Sequence, residues 1–490
     1  MTERVLTIIL LMAAWLSSGA NSLVDAQEEA PPGPPPLVAA LMPGDILKSS
    51  ATRFPDILES LARQNAAAGD RIAADGAFDL VFNADGFDRV SGFWTGGVVN
   101  TEVRQNLRPL GATVYGGYRI SDGTFPIYED INFTNTGGEL KVGAIFSLLR
   151  DRTIDQRRFR TEDTRLAFRQ SGLDVTLTQI GVQQKALNAY WRWIGAGREL
   201  LVYHNLLDIA EARQVGLESQ VEKGAQPEIA VTENAQNIIR RQVLVAEAER
   251  NYAMAANALS FYFRDTAGNL IVPGLAELPT EAQLLPDTLL DYRTDIDVGS
   301  VLATRPELRS LRIGIERARN KVALGENTLK PKLDLSLEVS TDFGEVAEGG
   351  ISRDSTDTIV GFKFSVPLQR REARGRLRRA EAELRASKLR EQRIEDQIEV
   401  ELGNIMIDLT AATQLRDLAA GEVAQSEAMV EAERRRFSLG ASDFFLVNVR
   451  EERAADAQIR AIRANLNGRL ARTSYDAATI NLEALGLKSN

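Results

Sequence analysis

The segment KLDLSLEVSTDF, residues 332–343, alternates between two kinds of side chain along its whole length. One edge is apolar except for a threonine and consists of Leu333, Leu335, Leu337, Val339, Thr341 and Phe343. The other edge is polar and consists of Lys332, Asp334, Ser336, Glu338, Ser340 and Asp342. A period of two predicts a β-strand with one apolar face and one polar face. Most of the remaining chain predicts long helices, so the apolar face of this strand needs its own explanation.

Three further segments have the same alternation, and a length of about 9–11 residues suits a tilted transmembrane strand. They are Phe78–Phe87, Glu139–Leu148 and Thr358–Val366. Apolar residues facing outward and polar residues facing inward are typical of a transmembrane barrel. A soluble sheet with one face on a core is the alternative. Aromatic residues near the first two segments favour the barrel, since they resemble an interfacial girdle. They are Phe87, Phe93, Trp94, Tyr115, Tyr118, Phe125, Tyr128 and Phe133.

A barrel in lipid must be closed, because an open strand edge would leave backbone groups without hydrogen-bond partners. Four strands are too few, since the smallest transmembrane barrels have about eight. The four predicted strands must therefore combine with those of further copies of the chain. Two copies and three copies both remain possible from composition alone.

The N-terminus predicts export. Arg4 precedes the apolar run Val5–Leu16, and small residues allow cleavage after Ala20 or after Ala26. A membrane anchor is the alternative, but the run is too short to span a bilayer. We expect residues 1–26 to be a signal peptide and residues 27–50 to form a Pro-rich, exposed leader.

The composition argues against several classes of function. A net charge of −10 argues against nucleic-acid binding. The chain has no cysteine and one histidine, His204, which excludes cysteine-based zinc sites, thiol nucleophiles and iron–sulfur clusters. The sequence contains no motif of a phosphate-binding loop. We therefore expect no catalytic residues, no metal site and no cofactor, and we do not expect an enzyme.

The two halves of the chain resemble each other. VGAIFSLLRDRTIDQRRFR from Val142 resembles VGFKFSVPLQRREARGRLRR from Val360, and EKGAQPEIAV resembles SLGASDFFLV. This predicts an internal twofold repeat, each unit with a short helix, two strands and a long helical hairpin. The predicted bounds are 51–264 for repeat one, 265–300 for a connector, 301–480 for repeat two and 481–490 for a C-terminal tail.

Each predicted hairpin begins after the second strand of its repeat. From Arg370 to Phe437 there is no proline and apolar residues recur at steps of three and four, which predicts a coiled-coil rod of about 100 Å. Arg152–Glu222 matches it in repeat one. The turns and returning helices are predicted near Gly224 and Gly440 and at Pro227–Phe263 and Asp443–Ile480.

Together these features resemble the TolC-like outer-membrane efflux family. The resemblance rests on the signal peptide and, in order, on TRPEL, KPKLDLSLEVS, GFKFSVPLQRREARGR and RRRFSLGASDFFLVNVREERAADAQIRAIRANL. It implies a mainly α fold with β-strands: a homotrimer in which four transmembrane strands per chain form a shared 12-stranded barrel. The long helices would form a tunnel across the periplasm.

The resemblance also implies a function and partners. The chain would be the outer-membrane channel component of a tripartite efflux or type I secretion system in a Gram-negative bacterium. It would act as a passive duct, together with a periplasmic adaptor (membrane fusion) protein and an inner-membrane pump. The cargo and the energy source of the pump stay open. The alternative is a periplasmic coiled-coil adaptor or scaffold, a class that lacks four amphipathic strands and this duplication.

In the family the hairpin tips form the closed periplasmic end and receive the adaptor. The residues in those places are Gly224, Ala225, Gln226, Pro227, Gly440, Ala441, Ser442, Asp443, Phe444 and Phe445. Some members close with a ring of aspartates, but here those positions hold Leu446 and Val449. Phe444 and Phe445 are candidates for an apolar constriction instead, with ordinary packing between helices as the alternative.

The strands would present their apolar edges to outer-membrane lipid and their polar edges to the lumen. The acids expected in the lumen are Asp79, Asp85, Asp334, Glu338 and Asp342. They predict a pore that prefers cations.

Overall fold

The computed structural model describes residues 39–280, 282–284, 297–347, 353 and 355–488. The predicted signal peptide, residues 1–26, and the first half of the predicted leader, residues 27–38, lie outside the described residues. The α-helices are α1 (Pro43–Arg53), α2 (Pro55–Asp75), α3 (Gln156–Glu222), α4 (Ile229–Ser260), α5 (Val298–Thr304), α6 (Pro306–Leu329), α7 (Arg371–Ser438) and α8 (Phe444–Ala478). The strands are β1 (Leu80–Asp88), β2 (Gly97–Asn106), β3 (Thr113–Asp122), β4 (Glu139–Ser147), β5 (Lys332–Asp342) and β6 (Asp357–Ser365).

Two long helical hairpins dominate the fold, α3 with α4 and α7 with α8. Helix α3 has 67 residues and α7 has 68, so each is a rod of about 100 Å at 1.5 Å per residue. The seam predicted along α7 is buried at Ile398, Leu402 and Leu409, because residues three and four apart share one face of a helix. Helix α3 also packs on α8, so the two hairpins lie side by side. None of the described helices is long and apolar enough to cross a membrane.

An aromatic core joins residues 41–46 to the middle of α3. Tyr190 and Trp193 are fully buried there against Ile46 of α1, and the Tyr190 hydroxyl donates a hydrogen bond to the Leu41 carbonyl at 2.9 Å. The prediction of an exposed leader over residues 27–50 is therefore wrong for its last part. Leu485, in the predicted tail, is also fully buried, so the residues after α8 pack on the core as well.

The strands form one antiparallel sheet of six, in the order β1-β2-β3-β4-β5-β6. The prediction of four strands per chain is therefore wrong. Strands β2 and β3 lie between the two strands predicted for the first half. Their alternation is weak because Gly116, Gly117 and Thr101 occupy strand positions where large side chains would mark a face.

The two ends of the sheet differ in their connections. The β2–β3 turn, residues 107–112, lies at the end from which the helices leave. There the Arg158 guanidinium donates to the Arg108 carbonyl at 3.2 Å, and Arg108 pairs with Asp75 at 2.7 Å. The connections at the other end are longer and span residues 89–96, 123–138 and 343–356. Short turns at one end and longer loops at the other are typical of outer-membrane barrels.

Candidate functional site

The strand register assigns every strand residue to one of two faces, since directly opposed residues lie on the same side of a sheet. One face, called here the apolar face, runs without interruption across all six strands. It carries Leu80, Phe82, Ala84, Gly86, Val99, Thr101, Val103, Gln105, Val114, Gly116, Tyr118, Ile120, Leu140, Val142, Ala144, Phe146, Leu333, Leu335, Leu337, Val339, Thr341, Thr358, Val360, Phe362 and Phe364. Within the described strands, its charged residues are Asp88 and Asp122, both at strand ends beside the longer loops.

The opposite face, called here the polar face, carries charges of both signs. Its acids are Asp85, Glu102, Glu139, Asp334, Glu338, Asp342 and Asp357, and its bases are Arg104, Arg119, Lys141, Lys332 and Lys363. Four of the acids expected in the lumen are therefore strand residues of this face. Asp79 comes one residue before β1 and lies outside the ladder. Of these bases, the sequence analysis placed only Lys332 on the polar edge of its strand. Together the bases lower the net negative charge of the face.

Polar contacts on this face lie both between strands and within one strand. The Tyr115 hydroxyl on β3 donates to a Glu338 carboxylate oxygen on β5 at 2.6 Å. The ring crosses Gly143 of β4, where an added Cβ would lie 2.4 Å from the ring carbon Cζ. Arg119 pairs with Glu139, and Arg104 pairs with Glu102 at 2.8 Å.

The aromatic residues near β1–β4 do not form one girdle. Phe125 and Phe133 are buried in the loop after β3, with ring centroids 5.9 Å apart. Tyr115 lies on the polar face, while Phe93 and Tyr128 are exposed in the longer loops. Phe125, Phe133 and Tyr115 therefore contact other residues of the chain and do not form the predicted interfacial girdle.

The hairpin tips share one backbone geometry. At the end of α3 the Gly224 N–H donates to the Val221 carbonyl at 2.9 Å, and the Ala225 N–H donates to the Gln220 carbonyl at 2.8 Å. The end of α7 repeats both hydrogen bonds through Gly440 and its successor. Both glycines have φ of +71°. This is the Schellman motif, which needs a left-handed residue just beyond the helix.

The tip residues differ in exposure. Phe444 is 9% exposed and packs on Leu217 of α3, Ala230 of α4 and Phe437 of α7, so it joins all four long helices. Phe445 is 67% exposed. The structure therefore places Phe444 in the core of a single chain, as the alternative for this residue expected, and leaves Phe445 free to face a pore or a partner.

Polar contacts fix the second tip. Asp443 caps α8 by accepting a hydrogen bond from the Leu446 N–H at 2.8 Å. The Ser442 hydroxyl donates to Glu433, which is buried in the last turns of α7. At the first tip Gly224, Ala225 and Pro227 are exposed, as are Gly440 and Ala441 at the second, whereas Gln226 is half-buried.

A buried ionic cluster, the Glu451 cluster, lies about two turns into α8 from the tip. It consists of Glu451 with Arg213 of α3, Arg241 of α4 and Arg434 of α7, so each long helix supplies one residue. The closest N–O distances to the carboxylate are 2.5, 3.4 and 2.9 Å, respectively. The side chains of Glu451 and Arg241 are each 1% exposed.

The arginines keep the Glu451 carboxylate of this cluster ionised. Burial alone would raise the pKa of Glu451, but hydrogen bonds and charge from Arg213 and Arg434 outweigh it and lower the pKa below its ordinary value. Burial lowers the pKa of Arg241, and the attraction of Glu451 opposes that shift. A carboxylate held by three guanidinium groups stays ionised at neutral pH.

Sequence reasoning did not identify the Glu451 cluster, although a signal was present. Phe444, Val447, Glu451 and Ala454 recur at steps of three and four and are all buried. A charged residue on such an apolar seam needs a buried partner, and the charge of Glu451 on this seam is visible in the sequence.

His204 is partly exposed, with its Nε2 atom 3.9 Å from Glu249.

Comparison with known proteins agrees with this architecture. A family profile described as outer membrane efflux protein matches residues 298–486. The outer-membrane channel OprN superposes with a TM-score of 0.63 and 15% identity, covering 89% of each chain. The open state of the Neisseria gonorrhoeae MtrE outer membrane channel gives a TM-score of 0.62 and 13% identity, covering 91% of this chain and 89% of its own.

The Campylobacter jejuni CmeC outer membrane channel gives a TM-score of 0.61 and 12% identity, covering 96% of this chain and 98% of its own. No curated protein sequence matches the chain significantly. These structural likenesses establish the fold, and together with the family profile they confirm the resemblance drawn from the sequence. Residues 298–486 thus resemble the outer membrane efflux protein family, and the described chain has the fold of solved outer-membrane channels.

Proposed function

We propose that this protein is the outer-membrane channel of an export system and acts as a passive duct across the outer membrane and the periplasm. The observation that carries the proposal is the apolar face. It is continuous over six strands of 9–11 residues, and it is exposed in the single chain at Val142, Val360 and Phe362. Strands of this length span a bilayer when tilted, and such a face suits lipid.

The open edges of the sheet call for further copies. In the described part of the chain, strands β1 and β6 each have one neighbour. Lipid cannot hydrogen-bond a free strand edge, so β1 of one copy would pair with β6 of the next. A homotrimer is the closure that the family resemblance favours.

The helices supply the second part of the duct. Rods of about 100 Å extend from the sheet to the tips, a length suited to crossing a periplasm. The exposed tips carry apolar side chains at Ile229, Leu439 and Phe445. Exposed apolar groups of this kind suit a protein partner. We propose that a periplasmic adaptor docks here and that an inner-membrane pump supplies the energy.

Matched lysine substitutions on β6 test the proposal. Val360 on the apolar face and Ile359 on the polar face are neighbours, and both are exposed in the single chain. A lysine facing lipid near the bilayer centre costs about 2–4 kcal/mol. We expect Val360→Lys to lower the yield of assembled protein in the outer-membrane fraction and Ile359→Lys to leave it unchanged.

Reconstitution provides the second readout. We expect discrete conductance steps when wild-type protein enters a planar lipid bilayer. Equal yields for the two lysine variants, together with recovery of the wild type in the soluble periplasmic fraction, would overturn the proposal and favour a periplasmic scaffold.

A further inference from the structure

We propose that the β2–β3 hairpin is a membrane-spanning insert that widens the barrel, so that the outlet passes bulkier solutes than four strands per chain would allow. The inference rests on the proposed channel function. It starts from the six-stranded sheet, in which β2 and β3 stand between β1 and β4. The hairpin, like β1 and β4, lies outside the residues that match the efflux family profile.

The register shows that the hairpin is part of the wall. Strand β2 pairs with β1 from Gly97 to Gln105 and with β3 from Gly97 to Asn106, and β3 pairs with β4 over Thr113–Arg119. A hairpin folded away from the sheet would lack these ladders. A hairpin adds two strands of opposite direction, so the alternation needed for an antiparallel barrel is kept.

The apolar face crosses the hairpin at the same level as in the other strands. One row of opposed residues runs Phe82, Val103, Gly116, Val142, Val339 and Thr358 from β1 to β6. Since this row contains no charged residue, β2 and β3 suit the same depth of lipid as β5 and β6.

Contacts on the polar face hold the hairpin to the sheet, and contacts of its turn hold it to the helical part. Tyr115 of β3 reaches over β4 to Glu338 of β5, so the insert contacts a strand of the family-matched half. At the helix end, Arg158 of α3 donates to the carbonyls of Arg108 in the turn and of Arg152 beside α3. The hairpin is therefore fixed to the sheet and to the helical part.

The consequence is a wider outlet. Barrel diameter grows roughly in proportion to strand number. Three copies with six strands each would share eighteen strands rather than twelve, so the diameter would rise by about 1.5-fold. The strands would then not limit the size of cargo, and selection by size would fall to the helical part of the duct.

Single cysteines test whether the hairpin spans the membrane, and the cysteine-free chain gives a clean background. Val103→Cys and Arg104→Cys sample the two faces of β2, and Val360→Cys and Ile359→Cys are the matched pair on β6. Each variant is labelled in outer membranes with a polarity-sensitive thiol dye. We expect apolar emission at residues 103 and 360 and aqueous emission at residues 104 and 359.

The β6 variants distinguish failure of the proposed insert from failure of the proposed channel function. Aqueous emission at residue 103 with apolar emission at residue 360 would overturn the insert while leaving the channel intact. Aqueous emission at both would overturn the channel as well. Electron cryomicroscopy of the full-length complex in lipid nanodiscs gives the strand count directly, and twelve strands would contradict the inference.

A deletion tests the width. Removing residues 97–122 leaves β1 next to β4 with antiparallel direction preserved. Lys363→Cys on the polar face is labelled from outside intact cells with polymer-linked maleimides of graded size. We expect the full chain to react with larger polymers than the deletion variant, and equal cut-offs would refute the widening. If the deletion variant does not assemble, the dye emission and the strand count decide the proposal.

Discussion

Replacing Glu451 by glutamine should destabilise the helical part of the protein strongly. The change removes the only negative charge of the Glu451 cluster and leaves its three arginines in place. Arg213 and Arg434 are partly exposed and can gain water, whereas the Arg241 side chain is 1% exposed. The cost therefore comes mainly from Arg241, whose charge would stay buried without a counter-ion.

The magnitude follows from that burial. Removing one partner of a buried ion pair costs about 3–5 kcal/mol, because the remaining charge is not compensated. The hydrogen bond from Arg241 to the Leu206 carbonyl at 2.5 Å survives and satisfies one donor. We expect the free energy of unfolding to fall by about 3 kcal/mol, at the lower end of this range.

The neighbouring glutamate provides a matched control. Glu452 pairs with Arg240 at 3.2 Å, and both side chains reach solvent, with 32% and 61% exposed. Exposed pairs contribute about 0–1 kcal/mol, so Glu452→Gln should change little. Urea unfolding of the detergent-solubilised complex, followed by far-ultraviolet circular dichroism, compares the two variants on the same helical signal.

A double variant tests the cause. If the cost of Glu451→Gln comes from the stranded Arg241, then Arg241→Met in the same chain should recover much of the stability. Equal urea midpoints for the Glu451 and Glu452 variants would refute the reasoning. Additive losses in the double variant would refute the role given to Arg241.

The same cluster predicts a pH dependence. The pKa of Glu451 is lowered in the folded chain from its ordinary value of 4.5. A lowered folded pKa contributes stability that is fully present above the unfolded value and is lost as the pH falls through the folded value. The stability difference between wild type and Glu451→Gln should be constant above about pH 5 and should shrink below it. A difference that shrinks between neutral pH and pH 5 would contradict this assignment.

Three further predictions concern the tips and the sheet. Phe444→Ala should lower the free energy of unfolding by about 3 kcal/mol because its ring joins four helices. Phe445→Ala should change that free energy by less than about 0.5 kcal/mol. If Phe445 narrows the pore, Phe445→Ala should also raise channel conductance. Gly440→Ala should lower the free energy of unfolding by about 1 kcal/mol because φ at this position is +71°. Gly421 lies inside α7, and no atom lies near the place of an added Cβ. Gly421→Ala should therefore raise the free energy of unfolding by up to about 1 kcal/mol. The reversal potential in a salt gradient should show cation preference, because acids outnumber bases on the polar face. Anion preference would contradict the last of these.

The helical part of the fold was predictable from the sequence to within a few residues. The rod predicted from Arg370 to Phe437 is helix α7, and the returning helix predicted from Asp443 begins at Phe444 with Asp443 as its cap. Long proline-free segments with apolar steps of three and four leave few other structures. The glycine turns were equally clear, since Gly224 and Gly440 stand where the apolar steps stop.

The sheet was predictable only in part, because period-two alternation is visible only where side chains are large. The segment 332–343 marks its faces with leucine and charge, and β5 matches it closely. In β3 the same apolar face is marked by Val114, Gly116 and Tyr118, and a glycine carries no information about a face. The two inserted strands were therefore not predicted, and the strand count fell short by two per chain.

The side chains that pair with the predicted site residues could be identified only from the structure. The alternation within single strands assigned Asp85, Asp334 and Glu338 to the polar edges of their strands. Arg104 and Arg119 lie on β2 and β3, which were not predicted, and their place on the same face follows from the register between strands. The Glu451 cluster likewise depends on how two hairpins pack across more than 200 positions of sequence separation. Local patterns predict elements, whereas long-range ion pairs follow only from their assembly.

The mass of the complex extracted from the outer-membrane fraction is the decisive measurement for a barrel shared between copies of the chain. We expect a particle of three chains that is recovered only with detergent, because an open six-stranded sheet closes in lipid only with further copies. A single chain released without detergent would contradict it, since the apolar face would then be covered within the chain.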